Sequence, residues 1–446
     1  MNRKMALIFA AIVCLSLLSG FTLNVLAQFS ASASSWPMFR GDLLRTGVSF
    51  SAGPTTNNTL WKFETDGRVW SSPAVVGGVV YIASLNGTVY ALDAATGTQM
   101  WKYAIKHQVY SSPAVADGVV YIGSNDHNVY ALNASSGLII WNYTTIDQVQ
   151  SSPAVANGVV YVGSNDNKTY ALDAATGTQM WNFTTGYNVI SSPAVAEGVV
   201  YVGSFDSNVY ALNATSGAQI WKYTTGRGIE PSPAIVNGVV YVGSYDNLTY
   251  ALDAATGTQI WNATVGGDLC VQSSATVVNG VVYIGGSDEK YVYALNATTG
   301  AQIWKYTAGT QVFSSPAVAG NIVYVGGFDN VIFALDAATG TQVWSYTTSG
   351  NATTDFIFSP GGEVYSSPAV VDGVLYVGSY DHNVYAFADL PTPSPSPSVS
   401  PSSSPTASAT PSPTSMDNSF YIIAAAVVII IIVAAVAAVA LSKRRK

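Results

Sequence analysis

Charged residues, cysteine and histidine are all scarce in this sequence. Only 9% of the 446 residues are charged, and only 3 are histidine. Cys14 lies in an apolar N-terminal stretch, and Cys270 is alone in the body of the chain. Once that stretch is removed, no intrachain disulfide can form. We therefore predict neither a disulfide framework nor a Cys/His metal site.

Positive charge is scarcer still once the two ends of the chain are set aside. The chain has 17 basic and 25 acidic residues, and six of the basic ones lie at the termini: Arg3, Lys4, Lys443, Arg444, Arg445 and Lys446. The part between the termini therefore has 11 basic and 25 acidic residues. Such an acidic body repels phosphate backbones, so we expect no nucleic-acid partner.

Both ends predict a protein that is exported and held at a membrane. Residues 1–27 are typical of a secretory signal peptide, with a basic start, an apolar stretch and cleavage after Ala27. An uncleaved anchor is the alternative interpretation. Residues 420–441 are long and apolar enough for a transmembrane helix, and the basic tail 442–446 is expected in the cytoplasm. We predict a single-pass cell-membrane protein with an extracellular body.

Between the body and this span, residues 390–418 are rich in Pro, Ser and Thr. Such a composition cannot bury a core and favours an extended stalk. Asn-x-Ser/Thr sequons also recur along the chain, at Asn57, Asn86, Asn133, Asn142, Asn167, Asn182, Asn213, Asn247, Asn262, Asn296 and Asn351. In an exported protein their density favours glycosylation.

Tryptophan marks an internal repeat. Eight Trp residues recur at spacings of 40 or 43: Trp61, Trp101, Trp141, Trp181, Trp221, Trp261, Trp304 and Trp344. Each leads to a segment like SSPAV (residues 71–75), then one like VVYVGS and one like VYALD. Short Val- and Tyr-rich segments bounded by Gly, Asn and Asp are typical of β-strands, and four strands per repeat make a propeller blade. We expect the repeated Trp to pack neighbouring blades together rather than to bind a ligand.

The number of segments predicts a closed ring. In chain order the strands of a repeat are named A (SSPAV), B (VVYVGS), C (VYALD) and D (the Trp segment). The last C, residues 383–387, has no D after it, whereas an unmatched D stands at the N-terminus as residues 60–63. We therefore predict an all-β fold, an eight-bladed β-propeller of four-stranded antiparallel blades over residues 59–389. It is closed by the N-terminal strand, preceded by a lead-in (residues 28–58) and followed by the one C-terminal transmembrane helix.

Proline predicts which strand lies at the axis. Pro cannot donate a hydrogen bond to a ladder, so it belongs on an edge strand. Strand A carries a Pro in most repeats, as at Pro73. We therefore expect strand A to be the innermost strand of each blade.

The unit SSPAV…VVYVGS…YALDAATG…W resembles the repeat of pyrroloquinoline-quinone (PQQ)-type propellers over residues 60–389. Residues 36–42 (WPMFRGD) also resemble the lead-in of such proteins. The resemblance implies the propeller fold. The family includes quinoprotein dehydrogenases as well as the non-catalytic scaffold lipoprotein of the outer-membrane β-barrel assembly machinery. Fold alone therefore does not decide the function.

Loops on one side of the ring vary, and loops on the other side hardly do. Because successive strands alternate in direction, the D–A and B–C loops share one face, here named the variable face. The A–B and C–D loops share the other, the uniform face. The residue before Ser-Ser-Pro differs between blades: Trp70, Tyr110, Gln150, Ile190, Glu230, Gln272, Phe313 and Tyr365. The D–A loops add Arg68, His107, Tyr187 and Arg227, and insertions in blades six and eight fall on this face too.

Repeat proteins commonly place variation on the face that binds. Relaxed drift of exposed loops is the alternative, but the uniform face is equally rich in loops. We therefore predict that the variable face binds a protein or a cell-envelope polymer, with its large apolar residues as anchors. Since the last C strand runs towards the uniform face, the stalk should leave there and the variable face should look away from the membrane.

An enzymatic function is not favoured. A quinoprotein dehydrogenase would need a quinone, a Ca²⁺ site and an Asp base. The resemblance also implies a pair of adjacent cysteines in the alcohol dehydrogenases, and this chain has no such pair. Asx turns explain the B–C loops (for example residues 125–128) better than calcium loops do. We predict no catalytic residues, no metal site and no cofactor.

The preferred hypothesis is a membrane-anchored extracellular binding or scaffold propeller, expected to be monomeric. A structural or adhesive cell-envelope glycoprotein is the alternative, and a PQQ-dependent dehydrogenase is a third, weaker one. The variable face favours the first, whereas the many sequons and the similarity of the blades favour the second.

Overall fold

The structure, a computed structural model, describes residues 35–266, 270–286, 290–349 and 361–390. In these ranges the chain forms 33 β-strands, of which β1 (Val48–Ser49) and β2 (Thr59–Glu64) come first. Blades one to four are β3 (Ala74–Val76), β4 (Val79–Ala83), β5 (Thr88–Asp93), β6 (Gln99–Ala104); β7 (Ala114–Ala116), β8 (Val119–Gly123), β9 (Asn128–Asn133), β10 (Ile139–Thr144); β11 (Ala154–Ala156), β12 (Val159–Ser164), β13 (Lys168–Asp173), β14 (Gln179–Thr184); and β15 (Ala194–Ala196), β16 (Val199–Gly203), β17 (Asn208–Asn213), β18 (Gln219–Thr224).

Blades five to eight are β19 (Ala234–Val236), β20 (Val239–Gly243), β21 (Leu248–Asp253), β22 (Gln259–Thr264); β23 (Thr276–Val278), β24 (Val281–Gly285), β25 (Tyr291–Asn296), β26 (Gln302–Thr307); β27 (Ala317–Ala319), β28 (Ile322–Gly326), β29 (Val331–Asp336), β30 (Gln342–Thr347); and β31 (Ala369–Val371), β32 (Val374–Gly378), β33 (Asn383–Ala388) with β2. Each blade is an antiparallel sheet of strands A to D, and blade seven carries β1 as an additional strand parallel to β27. The predicted eight-bladed all-β propeller is confirmed.

Strand A is the innermost strand, as predicted, because the A strands of neighbouring blades contact one another. It is shorter than the sequence suggested. In blade one it begins at Ala74, so Ser71, Ser72 and Pro73 lie ahead of the strand. This is consistent with proline, which has no N–H to donate to the ladder.

The ring closes through the N-terminal strand, as predicted. β2 pairs with β33 in antiparallel register, with Trp61 opposite Ala386 and Glu64 opposite Asn383. A second closure runs around the axis, where the N–H of the serine at the second position of each Ser-Ser-Pro-like segment donates to the Oγ of its counterpart in the next blade. This circle begins with Ser72 N to Ser112 Oγ at 2.9 Å and ends with Ser367 N to Ser72 Oγ at 2.8 Å.

The repeated Trp joins each blade to the next, which confirms its predicted packing role. Trp101 is 8% exposed, and its Nε1 donates to the carbonyl of Ala134 in the C–D turn of blade two at 2.8 Å. The indole ring of Trp101 lies over Gly137, where an added Cβ would be 2.6 Å from the indole. Blade eight has no C–D turn, so Trp344 of blade seven instead donates to the carbonyl of Pro54 at 3.0 Å.

The turns explain why one face is uniform. In the A–B turn of blade two, Asp117 and Gly118 both have positive φ (49° and 75°), as a tight two-residue hairpin requires.

The B–C loop of the same blade, on the variable face, is an Asx turn. Asp126 Oδ1 accepts from the N–H of Asn128 at 3.1 Å, and Oδ2 accepts from the Tyr130 hydroxyl at 2.6 Å. The Asx interpretation is confirmed for this loop.

The lead-in crosses the axial channel and closes it. Trp36 pairs with Val75 of blade one, and the carbonyls of Pro37, Leu43, Leu44 and Gly47 accept from the A strands of blades two, four, five and seven. These main-chain hydrogen bonds are with the Val or Ile of the SSPAV-like segments, which lie towards the uniform face. The lead-in residues 36–49 are named the plug below.

Two buried arginines hold the plug. Arg45 is fully buried, and its guanidinium donates to the carbonyls of Phe39, Ser152, Pro153 and Pro193. Arg40, 2% exposed, does the same for carbonyls of blades six and seven. Because A is an edge strand, these carbonyls face the channel without a neighbouring strand. Burial lowers the pKa of both guanidinium groups to about 9, so both are charged at neutral pH.

Several predicted segments lie outside the described residues: the signal peptide (1–27), the stalk beyond Leu390, the helix at 420–441 and the tail. The same holds for most of the insertions in blades six and eight. The described part of the chain contains no helix of the length and hydrophobicity that a membrane span needs. At the C-terminal end of the propeller, Ala388 pairs with Val374 next to an A–B turn. The chain therefore reaches Leu390 on the uniform face.

Candidate functional site

All eight variable positions before Ser-Ser-Pro meet at one cavity on the axis. The cavity has a volume of about 110 Å³ and is lined by Trp70, Tyr110, Gln150, Ile190, Glu230, Gln272, Phe313 and Tyr365. Below them lies the circle of serines, and Phe39 of the plug belongs to the lining as well. Each of the eight side chains is half-buried. The cavity therefore lies on the variable-face side of the plug.

Local sequence explains why these side chains converge. The residue before each position is an almost fully buried Val or Ile, as with Val149 at 0% exposure, and it packs between blades. Gly123 makes room for Val149, because a Cβ there would lie 2.5 Å from it. Two residues after each variable position comes the serine of the axial circle. With one neighbour fixed in the core and another in the circle, the residue between them lines the channel.

Aromatic rings form one half of the cavity wall, on blades seven, eight, one and two. Trp70 stacks on Tyr365 with ring centroids 4.1 Å apart and an angle of 14°. Phe313 stacks on the same tyrosine at 5.4 Å and 5°, and Tyr110 meets Trp70 edge-on at 5.3 Å. Such contacts between aromatic rings stabilise one fixed arrangement. These four residues are named the aromatic wall.

The other half of the wall, on blades three to six, is polar except for Ile190. The Tyr245 hydroxyl donates to Glu230 Oε2, and Gln272 Nε2 donates to the same oxygen at 3.1 Å. Burial raises the pKa of Glu230, and hydrogen bonds from Tyr245 and Gln272 oppose that rise. Gln150 bonds Gln148 at 3.2 Å. Both of these donors to Glu230 are neutral.

The four predicted loop residues do not line the cavity. The Arg68 guanidinium lies 5.4 Å from the centroid of the Tyr380 ring, next to the aromatic wall. His107, Tyr187 and Arg227 are exposed on the D–A loops around the mouth, and Tyr187 keeps 56% of its surface accessible. They form the outer rim of the same face.

A second layer behind the cavity was not predicted. The first residue of the B–C loop supports the lining: Tyr380 packs at 4.7 Å and Phe328 at 5.8 Å from Tyr365, and Tyr245 binds Glu230. The comparison between repeats could have found this position, since it varies from blade to blade while the Asp after it recurs. The role of Phe39 had no comparable signal, because the lead-in occurs once.

Comparison with known proteins identifies the family. A sequence profile described as "Outer membrane protein assembly factor BamB" matches residues 49–152, 144–267 and 246–388. The chain belongs to this family. The resemblance to PQQ-type propellers is thereby confirmed. Among curated proteins none matches the sequence significantly.

Solved structures agree on the fold of the BamB family. BamB from Moraxella catarrhalis is 20% identical, with a TM-score of 0.64, covering 75% of this chain and 100% of its own. The quinohemoprotein alcohol dehydrogenase of Comamonas testosteroni is 16% identical, with a TM-score of 0.68, covering 83% of each chain. The computationally designed Ika8 protein is 18% identical, with a TM-score of 0.63, covering 74% of this chain and 99% of its own. At these identities the likeness extends to the fold alone.

The cavity of this BamB-family chain does not fit a quinone with its calcium ion. Ca²⁺ takes six to eight oxygen ligands, whereas the one carboxylate of the described lining, Glu230, is already bonded by two side chains. The quinone bears several carboxylates, and no Lys, Arg or His is among the described lining residues. The volume of about 110 Å³ is also small for a planar cofactor, since small-molecule pockets usually have 300–1,000 Å³. The described residues contain no cluster of three or more potential metal ligands.

Proposed function

We propose that this chain is a non-enzymatic binding or scaffold propeller that recognises a protein at the mouth of its axial cavity. The observation that carries the proposal is the convergence of all eight variable positions on one cavity. The uniform face, in contrast, repeats the same turns from blade to blade. Aromatic residues at the centre of a concave surface are typical of the few side chains that dominate binding energy. The family description, an assembly factor, supports a scaffold role.

We also propose that the propeller stands outside the cell, on a stalk anchored in the cell membrane. This part depends on the sequence, through its signal peptide, its Pro/Ser/Thr segment and its apolar C-terminal run. The described chain reaches Leu390 on the uniform face.

One observation favours the structural or adhesive alternative. Each blade exposes an aliphatic residue on strand D just before its Trp, such as Met100 at 55% and Met180 at 53%. The others are Leu60, Ile140, Ile220, Ile260, Ile303 and Val343, at 38–49%. A ring of apolar side chains around the circumference suits lateral contact between copies.

Photo-crosslinking in the producing cells tests these functions. The full-length chain would carry p-benzoylphenylalanine in place of Tyr187 at the mouth, of Ala175 in a uniform-face turn, or of Met180 on the circumference. All three side chains are exposed. We expect the probe at Tyr187 to give a discrete adduct with another protein and the probe at Ala175 to give none.

The other outcomes are equally informative. No adduct from Tyr187, or the same adduct from Ala175, would contradict recognition at the mouth. An adduct of Tyr187 with polysaccharide instead of protein would contradict the protein partner. Adducts between two copies of the chain from Met180, with none from Tyr187, would support the adhesive alternative.

A further inference from the structure

Glu230 carries the only charge in the described lining of the axial cavity. Its two hydrogen-bond donors, the Tyr245 hydroxyl and the Gln272 amide, are neutral and both bond Oε2. Oε1 therefore has no donor among the described residues. Desolvation raises the pKa of Glu230, and the hydrogen bonds from Tyr245 and Gln272 oppose that rise. A desolvated carboxylate without a counter-ion is costly, and a cation in the cavity would remove that cost.

The wall opposite this carboxylate is apolar. Glu230 belongs to blade five and Trp70 to blade one, so the two face each other across a ring of eight blades. Trp70 is the middle of the aromatic wall, flanked by Tyr365 at 4.1 Å and Tyr110 at 5.3 Å. The cavity thus combines an aromatic side with a single carboxylate on the other.

We propose that the cavity takes a lysine side chain of the protein partner, with its alkyl stem on the aromatic wall and its ammonium on Glu230 Oε1. This inference depends on the proposed function, because it names the group by which the partner is recognised. Long cationic side chains commonly bury their methylene stem against apolar surface while the charged end finds a polar partner. The excess of acidic over basic residues in the chain favours the approach of a basic partner.

The hydrogen bonds at Glu230 select ammonium over guanidinium. Arginine binds carboxylates best through two parallel bonds, one to each oxygen. Here Oε2 already accepts two hydrogen bonds, so only one oxygen is left for the ligand. A point-like ammonium needs no second oxygen. The volume of about 110 Å³ also suits one unbranched side chain better than a larger ligand.

Ligand-observed NMR on the full-length protein in detergent micelles tests the proposal. The probes are N-acetyl-lysine methylamide, its arginine and norleucine analogues, and n-butylamine. We expect the lysine probe to bind at least fivefold more tightly than norleucine, which has the stem without the charge, and more tightly than arginine. Glu230→Gln should reduce lysine binding at least fivefold. Glu197→Gln, in an exposed uniform-face turn, removes the same charge and should change nothing.

Each contrary result identifies what fails. Equal binding of lysine and norleucine, or unchanged binding in Glu230→Gln, would overturn the cation site. If the arginine probe bound as tightly as the lysine probe, the selection of ammonium by a single free oxygen would be overturned. If n-butylamine bound more tightly than N-acetyl-lysine methylamide, the assignment of the cavity to a protein side chain would be overturned. Because crosslinking from Tyr187 does not depend on Glu230, a partner adduct without lysine binding would leave the proposed function standing and remove only this inference.

Discussion

Glycine and tryptophan together determine how one blade fits the next. Trp141 Nε1 donates to the Ala174 carbonyl at 2.9 Å, and its ring covers Gly177 of the same C–D turn. Gly177 has a φ of 73°, which glycine adopts without strain and other residues do not. The glycine is therefore required twice, once for its backbone conformation and once for the space above it.

Gly177→Ala should cost clearly more stability than Gly158→Ala in the same blade. Both glycines have a φ of 73°, but a Cβ at Gly177 would lie 2.7 Å from Trp141, whereas Gly158 has nothing within 4 Å. We expect a loss of about 1–2 kcal/mol for Gly158→Ala from backbone strain alone. Gly177→Ala should lose at least about 1 kcal/mol more, through the displaced ring. Chemical denaturation measures both, and equal losses would show that the Trp contact does not limit the fit.

Among the elements, β2 and the plug differ in how far the sequence predicts them. β2 could be predicted because its Trp61 repeats the spacing of the other blades and because the last C strand lacks a partner. The path of the plug could not, since each of its contacts is with a different blade and nothing in it is periodic. Arg40 and Arg45 look like surface residues in the sequence, yet they are buried against main-chain carbonyls. Only the ring brings those carbonyls together.

Arg45→Met should destabilise the propeller strongly, whereas Arg227→Met should not. Arg45 bonds four carbonyls, with the shortest distance, 2.6 Å, to Phe39, and the substitution leaves these buried acceptors without donors. We expect a loss of about 3 kcal/mol or more. That corresponds to a fall in Tm of roughly 4 °C or more. Arg227 is exposed, so its variant should melt within about 1 °C of the wild type. A similar Tm for the two variants would contradict a stabilising role of the plug.

Over the whole molecule, closure of the ring converts repeat variation into one site. The sequence placed the eight variable positions on one face, and the structure adds that they converge on the axis above the plug. The sequence could not predict which lining residues contact each other. Glu230 meets Tyr245 of its own blade and Gln272 of the next blade only in the folded ring. The loop residues His107, Tyr187 and Arg227 stay at the rim for a simple reason. Their loops lie farther from the axis than the residues that precede the serine circle.

Recognition at the cavity mouth is the central claim, and co-purification tests it most directly. The full-length chain would be isolated from the producing cells with the partner that crosslinks from Tyr187. The wild type would be compared with a variant in which Trp70, Tyr110, Phe313 and Tyr365 are replaced by alanine. A second variant with Thr96, Thr176, Thr256 and Thr339 replaced on the uniform face serves as control, and thermal unfolding checks that both variants remain folded. We predict that the mouth variant retains less than a tenth of the partner and the control variant retains all of it. Full retention by the folded mouth variant, or equal loss from both, would contradict the account.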